Sequence, residues 1–297
     1  MILRIMILSK SNHHHHTMAL SVLNWTAAGL HTGLGVFFSI YFPLINKAYP
    51  RNSQEDAEMT IRDHALLLTK VNHHINIGWT SVPAAAPTMN TVQLLVVLFF
   101  YITGLFHFIY ASTPLYGSMI GQRNNWMRWV EYAITSTLML YILAILCTVK
   151  DANVYYMLGS VNVIMISLGQ MVEENIRNGT SPWLPILASF VLLFTEFGII
   201  ARDLLKRVNQ VETYILSVTT NNTQAPLGPI PRWIAYMILV LFVFFSCFGL
   251  VSLYQCIYPE TRYESIETAY VILSFVAKAT LGGFIAYGTA WGQQQFT

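Results

Sequence analysis

Charge is scarce in this chain. Asp, Glu, Lys and Arg make up 10% of its 297 residues against 55% hydrophobic residues, and the mean hydropathy is +0.50. A soluble domain needs no apolar runs approaching the ~20 residues that span a bilayer, and this chain has several. The net charge of +2 is scattered over the joints between those runs rather than gathered in a stripe, which argues against nucleic acid as a partner. Cysteine is equally sparse. Cys147, Cys247 and Cys256 fall within apolar runs, odd in number and without paired spacing, so they read as small packers and not as a disulfide framework or zinc site. The ionisable residues form no set of nucleophile, base and orienter, and no metal-ligand spacing, which argues against an enzyme. Repeats and low-complexity tracts are lacking apart from His13 to His16, native or a purification remnant, to which no function is assigned.

Seven apolar runs are present, at roughly 20–44, 91–112, 126–148, 152–172, 182–203, 231–258 and 265–291. The fold class is therefore an all-α membrane protein, a bundle of seven transmembrane helices forming one domain over 1–297. The first run precedes a long polar segment and not a small-residue cleavage site, so it reads as a retained span. Residues 46–90 form a long extramembrane loop, in which Pro50, Gly78, Pro83 and Pro87 argue against a further helix and Ile75 to Ser81 is a candidate strand segment. A second substantial loop is expected near 204–230, ending at Pro231, where the next helix starts. The other joints are short and favour antiparallel neighbours.

Basic residues do not orient the bundle. Arg4, Lys10, Arg123, Arg128, Arg177 and Arg262 lie on the side of the N-terminus, with nine opposite; setting the long first loop aside leaves six against five.

Five ionisable groups within the runs carry the chemistry: His31, His107, Glu131, Glu196 and Lys278. Lys278 lies far from both ends of the last run, with no other charge between Glu267 and the C-terminus. An ammonium at the centre of a bilayer costs on the order of 2.5 to 3.5 kcal/mol, so such a lysine normally has a partner or a task. Forming a Schiff base with a carbonyl compound is one escape, and its proton then needs a nearby carboxylate, for which Glu131 is the candidate. Ser274 precedes Lys278 by one helical turn on the same face, where its hydroxyl is placed to bridge nitrogen and carboxylate. Each group also has a plainer use. A membrane histidine commonly bonds a neighbouring carbonyl, and Glu131 has Arg128 one turn earlier as an alternative partner.

Arg128-Trp-Val-Glu131 in the third run, Ser274-Phe-Val-Ala-Lys278 in the seventh, and histidines in the first and second together resemble the heliorhodopsins, retinal proteins distinct from ordinary microbial and animal rhodopsins. The resemblance covers the whole seven-span region and the long first loop. Ser274 stands where ordinary microbial rhodopsins carry an aspartate, and neither the Asp-Arg-Tyr nor the Asn-Pro-x-x-Tyr of animal receptors is present. The resemblance implies all-trans retinal held by Lys278 as a protonated Schiff base, Glu131 as counterion and Ser274 between them. It implies a polar, proton-accepting pocket of His31, His107 and Arg128, and a place for Asn162 near the chromophore. It further implies a cytoplasmic N-terminus, inverted relative to other rhodopsins, an extracellular first loop that forms a small β-sheet, and a homodimer in the lipid bilayer. Thr135 and Met139 lie one and two turns beyond Glu131, and with Met165, Phe245 and Phe248 they are candidates for the chromophore wall, although such spacing also suits ordinary core.

Glu196 is the departure from that pattern. It sits well inside the fifth run, toward the half of the bundle opposite Glu131, where an acid commonly marks a proton relay. Its plainer readings are a protonated acid bonded to a helix neighbour, or an outward reach toward Arg202. The expected function is a photoreceptor whose photoisomerisation releases the Schiff-base proton. Light-gated proton conduction, as associated with some viral heliorhodopsins, stands beside purely sensory signalling to an unidentified partner, and a non-photochemical receptor or transporter is the third possibility.

Overall fold

The computed structural model describes residues 2–48, 89–147, 149, 151–220 and 232–294. These form eight helices: α1 (Ile2–Ala48), α2 (Met89–Ser112), α3 (Pro114–Gly121), α4 (Trp126–Leu146), α5 (Ala152–Arg177), α6 (Trp183–Thr220), α7 (Arg232–Ile257) and α8 (Tyr263–Gln294). All but the short α3 contain a stretch long and apolar enough to cross a membrane, from Met18–Asn46 in α1 to Tyr263–Ala290 in α8. The chain is an integral, multi-pass membrane protein. Its outer faces are correspondingly greasy: on α6, Leu184 is 78% exposed and Val191 and Phe194 are also bare, as suits side chains that meet lipid.

Local signals set the joints on both sides. Asn125 starts α4 by accepting the Arg128 amide at 3.2 Å. Asp151 does the same for α5 through the Asn153 amide at 2.9 Å, on the opposite side. Gly179, at φ 68°, turns the chain between α5 and α6. Neighbouring spans pack in sequence and α8 returns to α1, so the seven long helices close into a ring. Its centre is sealed by Phe99, Phe100, Leu140, Leu143, Met237 and Leu281, all buried.

Three features differ from the expectations. α6 runs on to Thr220 where a loop was expected from 204. Arg202, Asp203, Lys206 and Arg207 end the apolar window there, but no proline or glycine occurs before Pro226, so nothing ends the helix. α3 was not anticipated. Pro114 opens it, where a missing amide costs nothing, and its buried Tyr116, Met119 and Ile120 pack with Leu20, Tyr110 and Tyr263. Cys147 lies just past the end of α4 and not within the span. Residues 49–88, with the candidate strand at Ile75 to Ser81, lie outside the described residues.

Candidate functional site

α4 and α8 run in the same direction, and Lys278 starts deeper along its helix than Glu131 does. The gap closes because side chains lean toward the N-terminal end of their own helix. The Lys278 side chain folds back one turn, so that Nζ donates to Ser274 Oγ at 2.6 Å and to Glu131 Oε1 at 3.0 Å. A direct ion pair results, with the serine alongside it. Thr103 on α2 donates a second bond to Glu131 Oε1, at 2.9 Å, and the Tyr132 ring lies 5.4 Å from Nζ. Lys278 is 3% exposed and Glu131 1%. Removing either partner would strand a buried charge, which makes the pair costly to break.

The two histidines stand together next to this pair. Their rings stack at 5.3 Å with an 18° interplanar angle. His31 Nδ1 lies 2.8 Å from the Ala27 carbonyl, and His107 Nδ1 2.8 Å from Asn24 Oδ1. Both partners are acceptors, so each imidazole carries its hydrogen on Nδ1 and presents a lone pair at Nε2. Neither Nε2 has a hydrogen-bond partner among the described residues, and both are buried.

Arg128 faces elsewhere. Its guanidinium pairs with Glu173 on α5 and Glu267 on α8, all three nearly inaccessible, and stacks 4.1 Å from the Tyr270 ring centroid. Both carboxylates also take neutral donors. Glu173 accepts from Trp129 Nε1 at 2.9 Å and from the Tyr263 hydroxyl at 3.2 Å, and Glu267 accepts from Asn125 Nδ2 at 2.9 Å. The one-turn alternative of Arg128 with Glu131 is not what the structure contains.

A cavity enclosed by α4, α5, α6, α7 and α8 reaches Lys278, and its walls are predominantly apolar, as small-molecule sites commonly are. Thr135, Met139, Met165, Phe245 and Phe248 all line it, as do Ser274 and Lys278. Asn162 does not line it. Its amide donates to the hydroxyls of Ser136 and Thr137, both at 2.8 Å, and so braces α5 against α4. Glu196 lies apart from the pair and the histidines. It is 0% exposed, both carboxyl oxygens lack a hydrogen-bond partner among the described residues, and Arg202 is turned to Asp203.

Several members of the site were not singled out from the sequence: Asn24, Thr103, Trp129, Tyr132, Glu173, Glu267 and Tyr270. Glu173 and Glu267 did leave a trace, as acids at the same membrane edge as Arg128. The remaining five are residue types common in any membrane core.

An amine lining an apolar, largely aromatic-walled cavity with a carboxylate at 3.0 Å suits an apolar aldehyde. On a closed ring of seven membrane helices it defines a rhodopsin-type protein. The chain belongs to the heliorhodopsin family, whose family model matches residues 60–290, and it is accordingly a retinal photoreceptor. Among solved structures it is similar to the light-driven proton pump LR (Mac) from Leptosphaeria maculans, with a TM-score of 0.59 at 11% identity, over 91% of this chain and 95% of that one. That likeness is one of fold. The transmembrane domain of Salpingoeca rosetta rhodopsin phosphodiesterase also matches, with a TM-score of 0.47 at 10% identity, over 87% and 97%. No curated protein matches the chain.

Proposed function

We propose that light drives a proton from the Lys278 nitrogen toward the His31 and His107 pair, and that the bundle conducts protons across the membrane by way of Glu196. Retinal, all-trans in the dark and held by Lys278, supplies visible absorption and a light-driven change of shape. The protein residues do the rest. Glu131 and Ser274 hold the proton at the nitrogen by charge and hydrogen bond, and any displacement of that nitrogen weakens both contacts. The two free Nε2 lone pairs are the nearby acceptors, and Glu131 steers the returning proton.

The observation that carries conduction is Glu196, a carboxyl 0% exposed with neither oxygen bonded among the described residues. A buried polar group without partners destabilises the fold by about 1–3 kcal/mol. A helix position that tolerates such a group invites a functional reason. The second reading, a sensor without transport, is favoured by the apolar packing of Leu193 and Phe197 around that level of the bundle. By family resemblance the N-terminus is cytoplasmic and the protein dimeric.

Voltage clamp under illumination tests the proposal. The parent protein is expected to carry a proton current, and Glu196→Gln to abolish it while the visible band persists. An unchanged current in that variant removes Glu196 from the path, and no current in the parent selects the sensor.

A further inference from the structure

Trp129 forms one wall of the cavity together with Gly169 and Tyr270. The indole occupies space that only glycine leaves open: a Cβ on Gly169 would stand 2.5 Å from Trp129 Cζ3 and 2.8 Å from Cη2. Glu173 lies one turn further along α5, on the same face as Gly169. Its Oε2 accepts the indole N–H at 2.9 Å. One helix face thus supplies both the slot and the acceptor. A buried indole has a single donor and one use for it, and a carboxylate makes that bond charge-assisted and directional. Glu173 is itself held from two other helices, by Arg128 on α4 and by the Tyr263 hydroxyl on α8. The rotation of the Trp129 ring about its side-chain bonds is therefore set by a group that lines no part of the cavity.

We propose that Glu173 is a positioning residue for the chromophore: it orients Trp129 as a cavity wall and so influences the absorption band and the rate of return to the dark state. The inference rests on reading the cavity as the retinal site. Tyr270, which stacks edge-on to Trp129 at 5.8 Å and bonds Ser252 at 2.6 Å, forms the adjoining wall and keeps its own anchor when Glu173 is changed.

The test uses full-length protein labelled with indole-¹⁵N tryptophan, without retinal and after loading. Loss of one indole resonance in Trp129→Phe assigns Trp129. Glu173→Leu should move that resonance upfield, and Glu173→Gln, which keeps an acceptor oxygen, should restore most of the shift. After loading, Glu173→Leu and Trp129→Phe should each displace the visible band and change dark-state recovery several-fold. The double variant should go no further than the larger single effect, because one residue acts through the other. An unmoved resonance, or band shifts that add, overturns the proposal. If Glu173→Leu forms no pigment, Glu173→Gln decides: pigment with the parent band supports the role, and no pigment refutes it. Parent protein that stays colourless with retinal sinks the retinal reading instead, and the resonance shift still reports whether Glu173 holds the indole.

Discussion

Lys278 Nζ stands 3.0 Å from Glu131 Oε1, and that oxygen also accepts the Thr103 hydroxyl at 2.9 Å. Three helices therefore converge on one carboxylate oxygen. Lys278→Ala is expected to eliminate any visible band after retinal loading. Glu131→Gln should shift the band and lower stability by about 3–5 kcal/mol, the scale for leaving a buried partner uncompensated. Absorption spectra and thermal bleaching of both variants check this, and an unshifted Glu131→Gln band would remove it as counterion.

Arg128 joins α4 to α5 and α8 through Glu173 and Glu267. Replacing it with Gln leaves two buried carboxylates without a cation, with an expected loss of about 3–5 kcal/mol. Arg128→Lys should rescue little, since a single ammonium cannot reproduce the planar fork that meets both acids. Denaturation midpoints of the two variants, compared with the parent, are the measurement; full rescue by lysine would contradict the geometry.

Asn24 sets the tautomer of His107 by accepting from Nδ1 at 2.8 Å. Asn24→Leu frees that hydrogen to move to Nε2, so the lone pair that faces the polar pocket is lost. Light-driven proton transfer, followed by infrared difference spectroscopy, should slow several-fold. His31, anchored to the Ala27 carbonyl, should keep its signature in the same spectra.

Cys147 lies beyond the α4 span, where burial, reinforced by the charge of Asp203, pushes its thiol from 9.0 up to about 12. The neutral thiol is thus favoured in the folded state. Its contribution to stability is complete below pH 9 and is lost as pH rises toward 12, because the unfolded chain releases that proton first. Stability measured across this window should fall less steeply in Cys147→Ser. Alkylation of folded protein at Cys147 near pH 8 should be slow.

Sidedness can be read with sugars. On the proposed orientation, an accessible glycosylation site built into the joint at 178–182 should stay bare, and the Asn221-Asn-Thr223 sequon is expected to be open to a glycan. Sugar on the first of these would reverse the proposed orientation.

Much of this was legible in one dimension. The seven spans, the deep lysine, its serine one turn back and the carboxylate in the third run follow from hydropathy and helical spacing. Five of six candidate wall residues line the cavity because Thr135 and Met139 share a face with Glu131, and the others follow similar spacing on their own helices. Asn162 is the exception. On α5 its face is turned toward Ser136 and Thr137, a rotation that periodicity alone does not specify. The reach of α6 to Thr220 was missed because hydropathy marks where the apolar window stops and not where a helix does.

The amino-acid order by itself determined that this chain crosses a membrane seven times and carries one amine that must be neutralised or employed, since transfer free energies and helix periodicity are properties of single segments. Only the tertiary structure decided that Arg128 serves Glu173 and Glu267 and not Glu131, that two imidazoles stack, and that their Nε2 atoms and the Glu196 carboxyl meet no hydrogen-bond partner among the described residues. Those outcomes depend on the rotation and axial offset of each helix against its neighbours, which are settled by packing across the whole ring.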